Sequence, residues 1–274
     1  MKTILAIIIF ISLVSVEYAA QASKYNPILG PNRITLPSGN ATMLLPEGYA
    51  YLGKAEATLL LKEIGNPNAD VDGLLAPAEE NPDWFIYLKF NPIGYFKMEE
   101  VQEDLKGLDL LAEIKKRTES ENQTRMSLGA LPISVVGYAE PLALNTAQQT
   151  LDFAIESTQG PAAMVERRTM FFSRKGYLLG SFVTPKEKYA SVKKSADEVF
   201  STLAFVGSHR YTDFNADVDS YSSVGISTIL TGREMARKSG GDSTLLGIGK
   251  FVWALLVAVA IPALLLVRRF FLNR

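Results

Sequence analysis

The chain has 274 residues, 47% hydrophobic and 21% charged, with a formal net charge of −1, one histidine and no cysteine. These numbers exclude a disulfide framework, any thiolate metal or iron–sulfur site, and any site needing two histidines. They also exclude a disordered chain and a nucleic-acid binder acting through bulk charge.

The chain opens on Met1 and Lys2, followed by an almost wholly apolar run from Thr3 to Val16 and small residues at Ala20 and Ala22. That order predicts a signal peptide over 1–22, with the mature chain starting at Ser23. At ~1.5 Å per residue the apolar run spans only ~20 Å, short of a bilayer core, although a retained N-terminal anchor is the alternative.

An exported α+β domain is expected over 23–206. Ala41 to Leu45 and Tyr49 to Leu52 read as strands separated by Pro46, Glu47 and Gly48. Lys54 to Ile64 has helical spacing and ends before a Gly/Asn/Asp-rich loop to Gly73. Leu74 to Pro77 and Trp84 to Phe90 read as strands, Glu99 to Leu105 as a short helix, and Asp109 to about Met126 as a longer one N-capped by Asp109. Further strands are expected at Val135 to Glu140 and Leu151 to Ser157, with a hairpin of Arg167 to Phe172 and Tyr177 to Val183. Pro185 then starts a helix over Lys186 to Ala204, whose stripe of Tyr189, Val192, Ala196, Val199, Phe200 and Leu203 must lie on something apolar. Hairpin-connected strands and striped helices predict an antiparallel sheet covered by helices. Charge is uneven: Glu47 to Glu113 is rich in acids, Lys115 to Arg210 in bases.

From 207 to 244 the sequence reads as a juxtamembrane linker. Gly207 to Asp219 is polar and turn-rich. Tyr221 to Lys238 has apolar residues among Arg233, Arg237 and Lys238, either an amphipathic helix on the membrane surface or a helix packed on the domain. Leu245 to Val267 holds one charge, Lys250, near its outer end, and is long enough (~35 Å as a helix) to cross a bilayer. Trp253 sits at interfacial depth, and the basic tail 268–274 follows. The positive-inside count is nearly a tie, so the signal peptide decides orientation. The domain faces the periplasm or cell exterior, anchored in a bacterial cytoplasmic membrane, with the tail in the cytoplasm. Ser239, Gly240 and Gly241 before the apolar run also resemble bacterial sorting tails cut at a Gly-Gly step.

LPEGY at Leu45 to Tyr49, the Gly137 to Pro141 step and, above all, HRYTDFN at His209 to Asn215 ahead of a C-terminal apolar span resemble one family, domain of unknown function family 2167. The resemblance runs from about Thr35 to Phe271. It departs at Ala216 and Asp217, where members often carry Pro-Gly. It implies a bacterial envelope protein without an assigned activity. A strand entering LPEGY, and a late strand running through Thr184 and Pro185 into a long helix, also resemble PsbP-like domains, an α/β/α sandwich that mostly binds partners.

No nucleophile elbow, P-loop, dinucleotide fingerprint or HExxH is present. Ser191 and Lys194 fit S-x-x-K but lie off the apolar stripe of their helix, on the water side, without companion motifs. Ser208, His209 and Asp213 are close enough in sequence to suggest a hydrolase, but a triad normally gathers from distant segments. Asp213, Asn215, Asp217 and Asp219 alternate like calcium ligands, yet Val218 replaces the needed Gly and Val224 the bidentate Glu. Glu99, Glu100, Glu103 and Asp104 form a helical acidic face that can be a hard-cation patch or simply solvated. Asn40 and Asn122 sit in glycosylation sequons.

The leading expectation is therefore a single-span envelope protein that binds a protein or envelope component without catalysis or a cofactor. Arg210, Tyr211, Asp213 and Asn215 are its candidate binding or bracing residues. The rivals are a hydrolase using His209 with a nearby acid, and a cation- or ligand-sensing domain using the Asp213–Asp219 loop.

Overall fold

The computed structural model describes residues 25–63, 69–79, 82–127 and 131–231. The expected signal peptide, Gly-Gly step, apolar span 245–267 and basic tail lie outside the described residues. Among the described residues no helix is long and apolar enough to cross a membrane.

Among the described residues, eleven strands and five helices follow one another. They are β1 (Ile28–Leu29), β2 (Asn32–Leu36), β3 (Ala41–Leu45), β4 (Tyr49–Gly53), α1 (Lys54–Glu63), β5 (Gly73–Pro77), β6 (Phe85–Asn91), α2 (Met98–Asp104), α3 (Leu110–Ser127), β7 (Ile133–Asn145), β8 (Thr150–Gln159), β9 (Ala162–Ser173), β10 (Gly176–Pro185), α4 (Tyr189–Ser201), β11 (Ala204–Phe205) and α5 (Ile226–Thr231). Eight strands form a sheet in the order β1-β4-β5-β6-β10-β9-β8-β7, every pair antiparallel, and β11-β3-β2 form a small second sheet. The expected fold class, α+β with a large antiparallel sheet and helices, is the one observed.

Strand periodicity sorts the core into two sides. On one face Tyr177 and Leu179 join Phe153, Ile155 and Met170 beneath α2, α3 and α5, while Tyr87 and Phe85 lie under α1. On the other, Leu178 and Phe182 meet Ala196, Val199 and Phe200 of α4, with β2 and β3 alongside. Gly180 permits that approach: a Cβ there would stand 2.6 Å from the Phe200 ring. Between the two clusters of the first face sits a fully buried polar knot. Tyr87 Oη (2.7 Å) and Arg168 Nε (2.9 Å) both donate to Glu166 Oε1. Burial alone would lower the Arg168 pKa, but Glu166 outweighs it and the net direction is up.

Several expected boundaries move. The helix foreseen over Lys186 to Ala204 is a 3-10 turn at Lys186–Lys188 followed by α4, because Ala204 and Phe205 pair with Thr42 and Ala41 instead. β7 runs far beyond the expected Val135 to Glu140, carried by pairing with β8 through three register shifts. Those bulges and Pro141 are the devices that blunt an edge strand. Asn122, one of the two sequon residues, is buried, and its side-chain amide exchanges hydrogen bonds of 2.8 Å with both main-chain groups of Ile133. A glycan there would break both.

Candidate functional site

One end of the large sheet collects the turns between β7 and β8 and between β9 and β10, together with the chain leaving β6. The sequence after β11 returns across this end. Arg174, in the β9–β10 turn, clasps it with three bonds: its N–H to the His209 carbonyl (3.2 Å), Nη1 to the Ser208 carbonyl (3.0 Å) and Nε to Asp219 Oδ2 (2.7 Å). The same Asp219 oxygen accepts the Asn215 N–H at 2.8 Å. Arg174 first, and then that N–H, holds the Asp219 carboxyl below the usual carboxylate range.

The HRYTDFN segment forms a 3-10 turn over Tyr211–Asp213. Asp213 Oδ2 accepts the Arg210 N–H at 2.9 Å, and Asn215 Oδ1 accepts the Asp217 N–H at 3.0 Å. Tyr211 reaches across to the start of α2, where its hydroxyl donates to the Phe96 carbonyl (2.8 Å) and accepts the Met98 N–H (3.2 Å). A parallel bridge joins Tyr95 to Tyr221: the Tyr95 N–H donates to the Ser220 carbonyl (3.0 Å) and the Ser222 N–H to the Tyr95 carbonyl (2.8 Å). Gly94, at φ +95, makes room for it, since a Cβ would meet the Tyr221 and Ser222 backbone at 2.8 Å. Beyond the bridge, Asp104 caps α5 by accepting from Ser227 N (2.8 Å) and Oγ (2.6 Å).

Four aromatic rings close over this frame. Tyr95 stacks on Phe214 at 4.0 Å between centroids and lies 4.6 Å from Tyr211, while Phe214 is 4.8 Å from Tyr221. Lys97 Nζ sits 4.5 Å from the Tyr221 ring centroid, in cation–π range. Burial, and after it the hydrogen bond with Tyr211, raises the pKa of the Tyr95 phenol. Beside the stack runs a groove of about 460 Å³ lined by Tyr95, Lys97, Met98, Glu99, Gln102, Thr146 and Tyr211.

The residues singled out between His209 and Asp219 thus lie at one end of the sheet with different tasks. Tyr211 walls the groove and, with Asp213, Asn215 and Asp219, braces the returning segment. Asp213 faces the main chain of Arg210, and His209 holds Arg174 through its carbonyl. Asp219 is occupied by Arg174, so three of the four alternating side chains, Asp213, Asn215 and Asp219, already accept hydrogen bonds, and among the described residues no group of three or more acids and histidines is placed to hold a metal ion. On α2, Glu100 pairs with Lys97 and Glu103 with Lys106, while Asp104 is the cap of α5. Ser191 and Lys194 are exposed, and Ser191 Oγ bonds the Lys188 carbonyl. Sequence reasoning missed Tyr95 and Arg174, which come from distant turns. The available signals were an aromatic directly after Pro92 and Gly94, and a base inside a tight hairpin turn.

No curated protein matches the chain. Among solved structures, the PsbP protein of Synechocystis sp. PCC 6803 (CyanoP) is similar at 12% identity, covering 64% of this chain and 92% of its own, with a TM-score of 0.39. The Ran-binding protein Mog1p of Saccharomyces cerevisiae is similar at 10% identity, covering 70% and 100%, with a TM-score of 0.27. A Bacteroides thetaiotaomicron VPI-5482 structure is similar at 13%, covering 66% and 50%, with a TM-score of 0.31. The HRYTDFN clasp, the aromatic stack and the groove all lie inside residues 28–261, the stretch that matches the family described as "protein of unknown function (DUF2167)", and the chain belongs to that family.

Proposed function

We propose that this protein is a membrane-anchored envelope module that binds a protein partner in the Tyr95–Tyr211 groove without catalysing a reaction on it. The groove carries the reading: a concave site walled by two tyrosines, with Gln102, Thr146, one base and one acid also in its lining. Rigid aromatic walls beside adaptable polar groups favour capture of a partner side chain or loop. The anchoring half rests on the sequence, in the leader at 1–22 and the apolar run at 245–267.

A photo-crosslinking residue at Gln102, in the full-length protein in its native membrane, tests the groove. The expected result is a discrete protein adduct that disappears with Thr146→Arg and does not form from Lys62 on α1. The same adducts from both positions, insensitive to Thr146→Arg, would remove the groove as the binding site. A reporter active only in the cytosol, inserted ahead of Gly240, tests the placement, and activity there would overturn it.

A further inference from the structure

We propose that the tip of the 207–224 loop rests on the lipid surface of the bilayer that anchors the chain, an inference that rests on the anchoring proposed above. Val218 is 71% exposed, the most of any large apolar side chain among the described residues, and Tyr221 is 44% exposed three positions on. Nothing in the described domain covers Val218, and such a side chain at a loop tip gains by leaving water. Its neighbours suit an interface. Tyr221 carries Lys97 over its ring, and an amphipathic aromatic beside a long cationic side chain is the pairing that settles at headgroup level.

The acids of the loop do not oppose this arrangement as their number suggests. Asp213 accepts from its own turn, and Asp219 is neutralised by Arg174. Asp213 and Asp217 stand against Arg210 and Lys175, so the loop and the Arg174–Lys175 turn together carry no net charge and an anionic leaflet does not repel them. Chain length brings loop and membrane together. Only residues 232–244 separate the end of α5 from the apolar run, at most about 45 Å even fully extended. A tether that short keeps the bilayer at high effective concentration, so weak intrinsic affinity suffices for docking.

The chain has no cysteine, so one introduced thiol reports one position. Spin labels on V218C, L59C and A258C of the full chain, in vesicles of phosphatidylethanolamine and phosphatidylglycerol, separate the cases by collision with oxygen and with a water-soluble nickel chelate. Leu59 is exposed on α1 and serves as the water reference; Ala258 lies in the apolar run. The expected result is an oxygen-to-nickel ratio several-fold higher for V218C than for L59C, with A258C higher still. A V218C ratio equal to that of L59C, with A258C lipid-exposed, overturns the docking and leaves the anchor standing. A V218C label shielded from both reagents, as under a protein, also overturns it. A water-exposed A258C removes the anchor and the docking with it.

Discussion

Arg174 and Asp219 are 45 positions apart, and their contact is one of those that tie the 207–224 segment to the domain. Because the Asp219 carboxyl is held below its ordinary value, the folded state favours its ionised form. Its contribution is complete above the unfolded carboxyl's pKa of about 3.9 and fades as pH falls through the lower folded value. The clasp should therefore hold down to about pH 4 and loosen below it. Hydrogen exchange of peptides covering 207–224 checks this, with Asp219→Asn as reference. The variant should exchange faster at neutral pH, and its exchange relative to the wild type should converge as acid protonates the native carboxyl. Equal exchange at neutral pH would show that Asp219 does not hold the loop.

The same logic acts between strands in the Glu166–Arg168–Tyr87 knot, which joins β9 to β6 across β10. Glu166 is 2% exposed and Arg168 1%, so removing one partner leaves a charge stranded in the core. Glu166→Leu should destabilise by about 3–5 kcal/mol, whereas Glu166→Leu with Arg168→Met should recover most of the loss. Denaturant melting of both variants measures the difference, and equal loss in the two would mean that packing rather than charge pairing dominates. Nothing in the sequence marks this pair: Arg168 reads as an ordinary residue of the strand expected at Arg167 to Phe172, and Glu166 lies just ahead of that strand. Local signals were enough for α1, α3 and the β9–β10 hairpin, whose periodicity and caps are contained in their own residues. They failed where pairing at long range decides. Ala204 and Phe205 continue the stripe of α4 but join β3, and Asn32 to Leu36 becomes a strand only because β3 lies beside it. The site divided in the same way. HRYTDFN stands out as a polar, aromatic cluster, but its meaning lies in Tyr95 and Arg174, more than thirty residues before it.

At the scale of the molecule, these contacts change where the folded unit ends. The sequence places the domain boundary near Val206, with a linker beyond. The first-face core, however, includes Ile226, Ile229 and Leu230 of α5, buried against residues of α2, α3 and the sheet. Exposing three such side chains to water costs on the order of 1.5–3 kcal/mol each. The sum is comparable with the whole stability of an ordinary domain, about 5–15 kcal/mol. A chain spanning 25–231 should therefore melt cooperatively in urea, while one ending at Val206 should melt at far lower denaturant or be digested at once by protease. Ile229→Asp in the longer chain should mimic the truncation, because it places a charge where a fully buried side chain packs. If the shorter chain instead kept the midpoint of the longer one, the segment from Gly207 to Thr231 would be an appendage lying on a finished domain. Removing it would then affect only the groove and the loop tip. Loss of both stability and groove binding on truncation would make the returning segment a structural wall of the binding site.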